Sequence, residues 1–530
     1  MSYEVKVETK TKSDVVNIAL EAIKKGKQVI VFAGTKKSAE KTSEDISKKI
    51  KLNFSENEFF QILSEKALNV LGKPTKQCER LAKCIKKGSA FHHAGLTGAQ
   101  RELIEDNFRA GKIKVICSTP TLAYGLDLPA YRVIIKDLKR YSDIGFGGMN
   151  WIPVLEYLQM AGRAGRPKFE KTGEAVIIAN DEKSKEEIYE KYVLGEPEEI
   201  ISKLAVEPVL RTYVLSLIST GFVNNKKELL EFFSKTFWAH QYEDMQKLEE
   251  IMDRIIQLLD DYEFIQTDEK DDFVSADSIK TDEKLRATLL GKRVAQLYVD
   301  PLTANHIITC LKSGVEKKRV TSFGLLQTIS HTIEMRPLLR IKTREYEEIQ
   351  EKYVKYESEI LEREPDYFDS DYDDYLNSVK TALFFNDWIA EKDEEFLLEE
   401  YNMRPGETRM KLGRADWLLY CSEEIAKLLS FQSILSEIQK LRFRIKYGVQ
   451  EELLALLQLK NVGRVRARIL HKNGIKDLGG VKRIDIGALA QLLGRKIAID
   501  IKQQVGEDVD KLAVPERKRK GQISLNDFCK

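Results

Sequence analysis

Short apolar runs alternate with amphipathic stretches in the first third of the chain. The runs that predict strands lie at Gln28–Phe32, Lys114–Cys117, Val133–Ile135 and Glu174–Ile178. The stretches with helical spacing lie at residues 14–25, Ser38–Ile50 and Gln100–Phe108. Because strands that alternate with helices form parallel sheets covered on both faces, we predict an α/β domain over residues 1–196. Ligands gather at the carboxyl edge of such sheets.

The segment from Lys136 to Tyr157 interrupts this alternation. It carries Gly145-Phe-Gly-Gly148 at its centre. Glycines at the middle of such a segment are compatible with a protruding hairpin near residues 136–157. An ordinary surface loop is the alternative.

Strands become rare after Pro197. Residues 198–260 predict three helices, and Tyr262–Ile265 with Phe273-Val274 predict a two-stranded wing, so that residues 197–297 suggest a winged helix. Residues 298–447 are almost wholly helical, with breaks near Arg336-Pro337 and Arg404–Gly406. A compact helical unit follows at 448–505, and the polar, basic tail at 506–530 predicts disorder.

Composition narrows the class of protein. The 530 residues are 42% hydrophobic and 32% charged, six cysteines are scattered, and no run of about 18 apolar residues occurs. These features predict a cytoplasmic protein with reduced thiols. The net charge is only +2, yet residues 345–374 are acidic and residues 460–483 carry eight Lys or Arg against one acid. A nucleic-acid surface would therefore be local.

The most informative motif is Gln159-Met-Ala-Gly-Arg-Ala-Gly-Arg-Pro167. Arg163 and Arg166 are three positions apart, a spacing that places both on one helix face. Guanidinium groups stay charged and match phosphate oxygens, so the pair suits a nucleotide triphosphate. Because no G-x-x-x-x-G-K-[ST] phosphate loop and no Asp-Glu-x-His motif occurs in the sequence, we predict that the chain carries one half of an ATP site. Surface salt bridges of the two arginines are the alternative.

Four motifs in order carry a family resemblance. They are Val29–Thr35 (VIVFAGT), Phe91–Leu96 (FHHAGL), Ser118–Ala130 (STPTLAYGLDLPA) and Gln159–Pro167. Together they resemble the second RecA-like domain of superfamily 2 helicases. Further matches lie at Lys191–Leu194, Gly291–Tyr298 with Pro301, Asn386–Trp388, Ala415–Leu418 and Asn461–Arg468. With these, residues 10–505 resemble the archaeal Hjm-type DNA helicases, relatives of the helicase part of DNA polymerase theta.

The resemblance implies roles at the nucleotide. Arg163 and Arg166 would be arginine fingers that reach a nucleotide held by a first RecA-like domain, and Gln159 would couple the motif to that site. Gly162 would let the backbone approach, and Gly125 and Asp127 would face the ribose or the fingers. ATP and Mg²⁺ would be held mainly by the missing first domain, on a separate chain or lost by truncation.

The resemblance also implies a helical ratchet domain at 298–447 and a helix-hairpin-helix domain at 448–505, both around single-stranded DNA. The residues expected to contact DNA are Thr119, His93, Thr97, Trp417, Arg414 or Arg409, Arg464, Arg466 and Arg468. Phe146 or Met149 at the hairpin would separate strands. A structural role for His93, a core role for Trp417 and a solvated basic face at 460–483 remain open.

The tail holds one more motif. Gln522, Leu525 and Phe528 resemble the peptide by which replication proteins dock on the sliding clamp PCNA, although Cys529 replaces the second aromatic residue. The leading expectation is a 3′-to-5′ ATP-dependent DNA helicase subunit or fragment, acting on forked DNA in repair and replication restart and inactive without a partner chain. A non-catalytic DNA-binding clamp adaptor and an RNA helicase fragment are the alternatives.

Overall fold

The computed structural model describes residues 7–51, 54–124, 128, 130–142, 148–165, 172–179, 181–202, 204, 207–242, 245–267 and 284–507. They divide into two compact units. The first contains Met1–Ile200 and Asp393–Met410, and the second contains Ile201–Lys392 and Lys411–Lys530. In the described ranges, no helix has the length and apolar character needed to cross a membrane.

The strands are β1 (Val29–Phe32), β2 (Ser89–His92), β3 (Val115–Ser118), β4 (Arg132–Ile135), β5 (Lys139–Ser142), β6 (Gly148–Trp151), β7 (Glu174–Ile177), β8 (Ile265–Thr267) and β9 (Leu285–Ala287). The helices up to residue 261 are α1 (Asp14–Lys24), α2 (Lys36–Ser47), α3 (Phe54–Leu68), α4 (Lys76–Ile85), α5 (Gly98–Arg109), α6 (Val154–Ala161), α7 (Glu182–Ile188), α8 (Glu207–Ser219), α9 (Lys226–Ser234), α10 (Phe237–Tyr242) and α11 (Met245–Asp261). The later helices are α12 (Leu289–Leu297), α13 (Pro301–Glu316), α14 (Ser322–Ser330), α15 (Tyr346–Tyr356), α16 (Tyr372–Ile389), α17 (Glu394–Tyr401), α18 (Pro405–Leu428), α19 (Gln432–Tyr447), α20 (Arg464–Lys472), α21 (Leu478–Arg483), α22 (Ile486–Leu493) and α23 (Arg495–Gln504).

A parallel sheet forms the centre of the first unit, as predicted. Its strand order is β2-β3-β1-β4-β7, and Val29 aligns with Val115 of β3 and with Arg132 of β4. Val29 and Val31 belong to the core that contains α1, whereas Ile30 and Phe32 belong to the core on the opposite face. Both faces of β1 are thus buried, which explains why its sequence is apolar at every position.

The carboxyl edge of this sheet gathers three loops. These loops follow β1, β2 and β3. Because the three strands are parallel, their carboxyl ends lie at the same edge of the sheet. The hydroxyl of Thr35 accepts from the Ser38 N–H and starts α2, and the hydroxyl of Thr97 accepts from the Gln100 N–H and starts α5. The 3₁₀ turn Pro120–Ala123 follows β3.

Strand β2 was not predicted from the sequence. All four of its residues are buried, but Ser89 and His92 are polar and break the apolar run. Each of the two side chains makes a polar contact: the Ser89 hydroxyl lies 2.9 Å from that of Ser43, and His92 Nε2 lies 2.9 Å from a carboxylate oxygen of Glu105. Buried polar side chains with partners therefore conceal this edge strand when strands are predicted from apolar runs.

The hairpin segment forms an antiparallel pair of β5 and β6, in which Lys139 is opposite Trp151. Its residues 143–147 lie outside the described ranges.

The second unit is mostly helical among its described residues. The sequence predicts three helices over 198–260, whereas the described residues form four, α8 to α11. The difference is the short α10, which is a separate helix between α9 and α11. Strand β8 pairs with β9, with Ile265 opposite Ala287, and the predicted partner Phe273-Val274 lies outside the described residues. The last four helices share one apolar core that extends from Val449 to Ile501.

Candidate functional site

The backbone around Arg163 is fixed beside the sheet. The Ala130 N–H donates to the Arg163 carbonyl at 3.0 Å, and the Gly165 N–H donates to the Ala130 carbonyl at 2.9 Å. Gly165 has φ +64°, and a Cβ there would lie 2.4 Å from the backbone nitrogen of Gly173. Only glycine fits this conformation and this approach. The sequence motif thus specifies a closely packed strap that we define as residues 162–165.

The Arg163 side chain is buried within the first unit, with 9% of its surface exposed. Its guanidinium donates to the carbonyl of Ala123, at the end of the turn after β3. The strap belongs to the Gln159–Pro167 motif, and the loop after β3 belongs to the Ser118–Ala130 motif. The Arg163 side chain therefore joins two of the sequence motifs. Gln159 is half-buried on α6, and Gly162 ends that helix by donating to the Leu158 carbonyl at 2.8 Å. Three further predicted residues, Arg166, Gly125 and Asp127, lie outside the described residues.

A cleft of about 600 Å³ opens at the carboxyl edge of the sheet. Its lining comes from the loops after β1, β2 and β3, from the hairpin and α6, and from the segment before α18. The lining residues are Gly34, Thr35, Lys36, Lys37, Ala94, Thr119, Pro120, Thr121, Tyr124, Arg140, Glu156, Asn402 and Arg404. Four cations face one carboxylate, so the cleft suits an anionic ligand.

Charges in the cleft are partly paired. Arg140 donates from both terminal nitrogens to Glu156 at 3.0 and 3.1 Å, and Lys36 pairs with Glu407. Burial, together with the positive charge of Arg404, lowers the pKa of Lys36. The hydroxyl of Thr119 lies 2.9 Å from that of Thr121 at the cleft wall. A phosphate oxygen could accept from these same donors.

The side chains of His93 and Thr97 already make hydrogen bonds within the first unit. His93 is fully buried; its Nε2 lies 3.1 Å from Glu40, and its Nδ1 accepts from the Gly95 N–H at 3.1 Å. Thr97 is 3% exposed and caps α5. Direct contact of either side chain with a phosphate would require these bonds to break.

The residues predicted to grip single-stranded DNA on α18 differ in exposure. Trp417 is half-buried, and its Nε1 donates to the Leu297 carbonyl at 3.3 Å. Arg414 is exposed and donates to the Arg336 carbonyl at 2.7 Å. Arg409, which belongs to the first unit, is also exposed and lies 3.8 Å from Glu394. On the hairpin, Met149 is 63% exposed, whereas Phe146 lies outside the described residues.

The turn before α20 contains a residue in the left-handed conformation. Asn461 adopts φ +64°, which asparagine tolerates better than most residues other than glycine. Arg466 donates to the Asn461 carbonyl at 2.6 Å. Asn461 thus supplies both the turn and an anchor for the arginine.

Two arginines of α20 contact their own unit. The Arg464 guanidinium lies 5.2 Å from the centre of the Trp388 ring and donates to the Lys392 carbonyl at 2.7 Å. Arg468 pairs with Glu391 and Glu452, and hydrogen bonds to these carboxylates raise its pKa. The positive charge of this helix is thus partly neutralised within the second unit.

Sequence reasoning missed several residues of the cleft. Lys36, Lys37, Arg140 and Arg404 were not assigned a role, although Lys36 and Lys37 directly follow the Gly34-Thr35 turn at a strand end. Their position after a strand end could have identified Lys36 and Lys37 as residues of the cleft. Arg404 could not be identified in this way, because it lies far from these loops in the sequence.

One Asp-Glu-x-Asp string, at 268–271, lies outside the described residues.

Comparison with known proteins gives concordant matches. Residues 58–168 match a family described as "Helicase conserved C-terminal domain", and residues 323–448 match "Archaeal helicase, domain 4". The chain is 37% identical to the ATP-dependent DNA helicase Hel308 of Pyrococcus horikoshii over 512 residues, which cover 96% of this chain and 67% of the relative. It is 36% identical to the protein of the same name from Methanocella arvoryzae over 518 residues, covering 96% of this chain and 67% of that relative.

These matches extend over nearly the whole chain and include the parallel-sheet unit as well as the helical region after it. The order of motifs, the strap at Arg163 and the basic cleft are consistent with them. The chain belongs to the Hel308 family of ATP-dependent DNA helicases.

Proposed function

We propose that this chain is the second RecA-like domain and DNA-gripping part of a 3′-to-5′ helicase that acts on forked DNA in repair and replication restart. The observation that carries the proposal is the junction of the Arg163 strap with the β3 loop, next to a basic cleft. In a motor, this junction would connect a nucleotide-sensing residue to a loop that contacts the nucleic acid.

The nucleotide is proposed to bind between this chain and a separate chain that carries a first RecA-like domain. That partner would hold ATP and Mg²⁺ with its phosphate loop, and Arg163 and Arg166 would stabilise the charge on the transferred phosphoryl group. Gln159, Gly162, Gly125 and Asp127 would complete this side of the site.

Single-stranded DNA is proposed to pass the cleft with its phosphates near Thr119 and Arg140. Contacts to phosphate carry no sequence information, which suits a translocating enzyme. His93 and Thr97 would act here by shaping the loops. The hairpin, with Met149 or Phe146 near its end, would separate the strands.

The second unit is proposed to contain a winged helix, a ratchet domain and a helix-hairpin-helix domain. The β8–β9 pair beside α8 and α11 supports the first, and the Asn461 turn before α20 supports the last. Arg464, Arg466 and Arg468 would face phosphates once DNA competes for them. A crystal structure with forked DNA would refute this assignment if none of the three lay within hydrogen-bond distance of a phosphate.

Trp417 is proposed to stack on a base, assisted by Arg414 or Arg409. Replacing it by alanine should weaken binding of fluorescein-labelled oligo(dT) to the chain alone by about 5- to 150-fold, since base stacking on an aromatic ring contributes roughly 1–3 kcal/mol. Fluorescence anisotropy at constant salt measures the change. Trp417→Phe should retain most of the affinity, because the ring remains.

Phe368→Ala is the matched control for that experiment, because Phe368 is 92% exposed in an acidic segment of the same unit. Its removal should leave the affinity unchanged. Equal affinities of the wild-type chain and Trp417→Ala would instead place Trp417 in the core alone.

The tail is proposed to dock on PCNA through Gln522, Leu525 and Phe528, which lie outside the described residues. One helical turn would bring Leu525 and Phe528 to the same apolar face. We expect Phe528→Ala to abolish measurable binding to PCNA in calorimetry and to leave oligo(dT) binding intact. Undiminished clamp binding by this variant would contradict the assignment.

A further inference from the structure

One ion pair in the cleft of the first unit has the geometry of a phosphate contact. Arg140 on β5 donates from its two terminal nitrogens to the two carboxylate oxygens of Glu156 on α6, at 3.0 and 3.1 Å. Both residues line the cleft. Arginine binds carboxylate and phosphate groups with the same two-pronged fork. Glu156 therefore occupies the place on Arg140 that a phosphate group would take.

The carboxylate is the fixed half of this pair. Glu156 is 8% exposed and lies in the first turn of α6. The start of that helix is held by the carboxylate of Glu198, which accepts from the N–H groups of Val154 and Leu155 at 2.6 and 3.1 Å. A carboxylate at this position stabilises the helix terminus. The next residue along, Tyr157, is also buried. Glu156 thus cannot follow its partner into the cleft.

The guanidinium is the half that can turn. The side chain of Arg140 is 48% exposed, and its residue lies opposite Asn150 in the β5–β6 pair. A half-exposed arginine has several staggered conformations within reach. Arg140 can therefore rotate towards another acceptor in the cleft while the backbone of its strand stays in place.

Loss of Arg140 would leave Glu156 without a counter-charge. Among the residues that the structure describes, Glu156 has no ion-pair partner other than Arg140. A largely buried carboxylate that loses its partner is destabilised, and a phosphate brought close to it is repelled. Binding of a phosphate to Arg140 therefore has to overcome both effects, so the carboxylate weakens the contact that it competes with.

We propose that Glu156 is an internal competitor for the nucleic-acid backbone: its carboxylate holds Arg140 while no phosphate is bound and takes the guanidinium back when a phosphate leaves. The inference rests on the proposed path of single-stranded DNA past Arg140, and it adds a residue that limits the grip on that strand. A translocating enzyme has to release each phosphate that it passes. A carboxylate on the same guanidinium fork favours that release regardless of base sequence.

The first test compares two single variants of the full chain by fluorescence anisotropy with fluorescein-labelled oligo(dT). Glu156→Gln keeps the size of the side chain and removes its charge, so it should raise the affinity by about 1.5- to 5-fold, the range for a partly exposed ion pair. Arg140→Gln should lower the affinity. It should also reduce the slope of log K against log salt concentration by about 0.7, the loss of one phosphate contact to a single strand. Titration at stoichiometric concentrations gives the active fraction of each variant.

The second test combines the two substitutions. In the Arg140→Gln background, Glu156→Gln should gain nothing, because the group for which Glu156 competes is absent. An equal gain in both backgrounds would mean that the carboxylate repels DNA at a distance, and it would overturn the competition. The matched control is Asp106→Asn, which removes an exposed carboxylate that pairs with Arg109 at 2.8 Å and does not line the cleft. Its affinity should equal that of the wild-type chain.

The outcomes separate this inference from the proposed function. An Arg140→Gln variant with wild-type affinity and an unchanged salt slope refutes the path of DNA past Arg140, and the role of Glu156 with it. A clear loss on Arg140→Gln, together with an affinity of Glu156→Gln at or below that of the wild-type chain, leaves the path standing and overturns the role of Glu156 as a competitor.

Discussion

Purified alone, the chain should hydrolyse ATP no faster than the buffer blank, with or without oligo(dT). Phosphoryl transfer depends on holding the nucleotide and Mg²⁺ in place, and the 530 residues carry no phosphate loop that could do so. In the proposed function, Arg163 and Arg166 would stabilise the transition state only after another domain has positioned the phosphates. Phosphate release at saturating DNA measures the rate.

Mixing with a chain from the same genome that carries a phosphate loop and an Asp-Glu-x-His motif should produce DNA-stimulated turnover, at a rate on the order of 1–1,000 per second. The control is the same partner with its phosphate-loop lysine replaced by alanine, which should restore the background. DNA-dependent turnover by the chain alone would refute the need for a partner. A mixture that stays at background while binding DNA would favour the adaptor alternative.

Pattern reading succeeded where burial and sequence agree. The runs at β1, β3 and β4 are largely apolar because these strands are fully buried, whereas the edge strand β7 is only partly buried; each of the four was predicted within two residues of its observed bounds. Local rules suffice for such features.

The hydrogen-bond and ion-pair partners of individual side chains could not be predicted from the sequence in this way. His93 was expected to reach DNA, yet it is buried against Glu40, and another partner of Glu40, Arg404, lies 364 positions further along the chain. Likewise, Arg468 reads as a basic contact but pairs with Glu391 and Glu452. The sequence shows which side chains are charged, but only the folded structure shows which oppositely charged side chains they pair with.

In the completed complex, Arg163→Ala should lower DNA-stimulated ATP turnover by about 10³- to 10⁵-fold, the contribution of an arginine finger. DNA affinity should change little, because the proposed DNA contacts lie on other side chains. The measurement is single-turnover hydrolysis at saturating ATP, with the fraction of folded protein determined for each variant. That correction matters because Arg163 also holds the Ala123 carbonyl in the structure.

A matched pair of lysine substitutions separates these two roles. Arg163→Lys and Arg132→Lys each keep a positive charge and remove the guanidinium fork from a buried position, and Arg132 pairs with Glu21 and Glu174, neither of which belongs to the strap. Both variants should lose thermal stability. Per folded molecule, however, Arg163→Lys should lose most of its turnover, whereas Arg132→Lys should retain it. Equal turnover in the two variants would mean that Arg163 supports the β3 loop and that charge on the nucleotide is stabilised elsewhere.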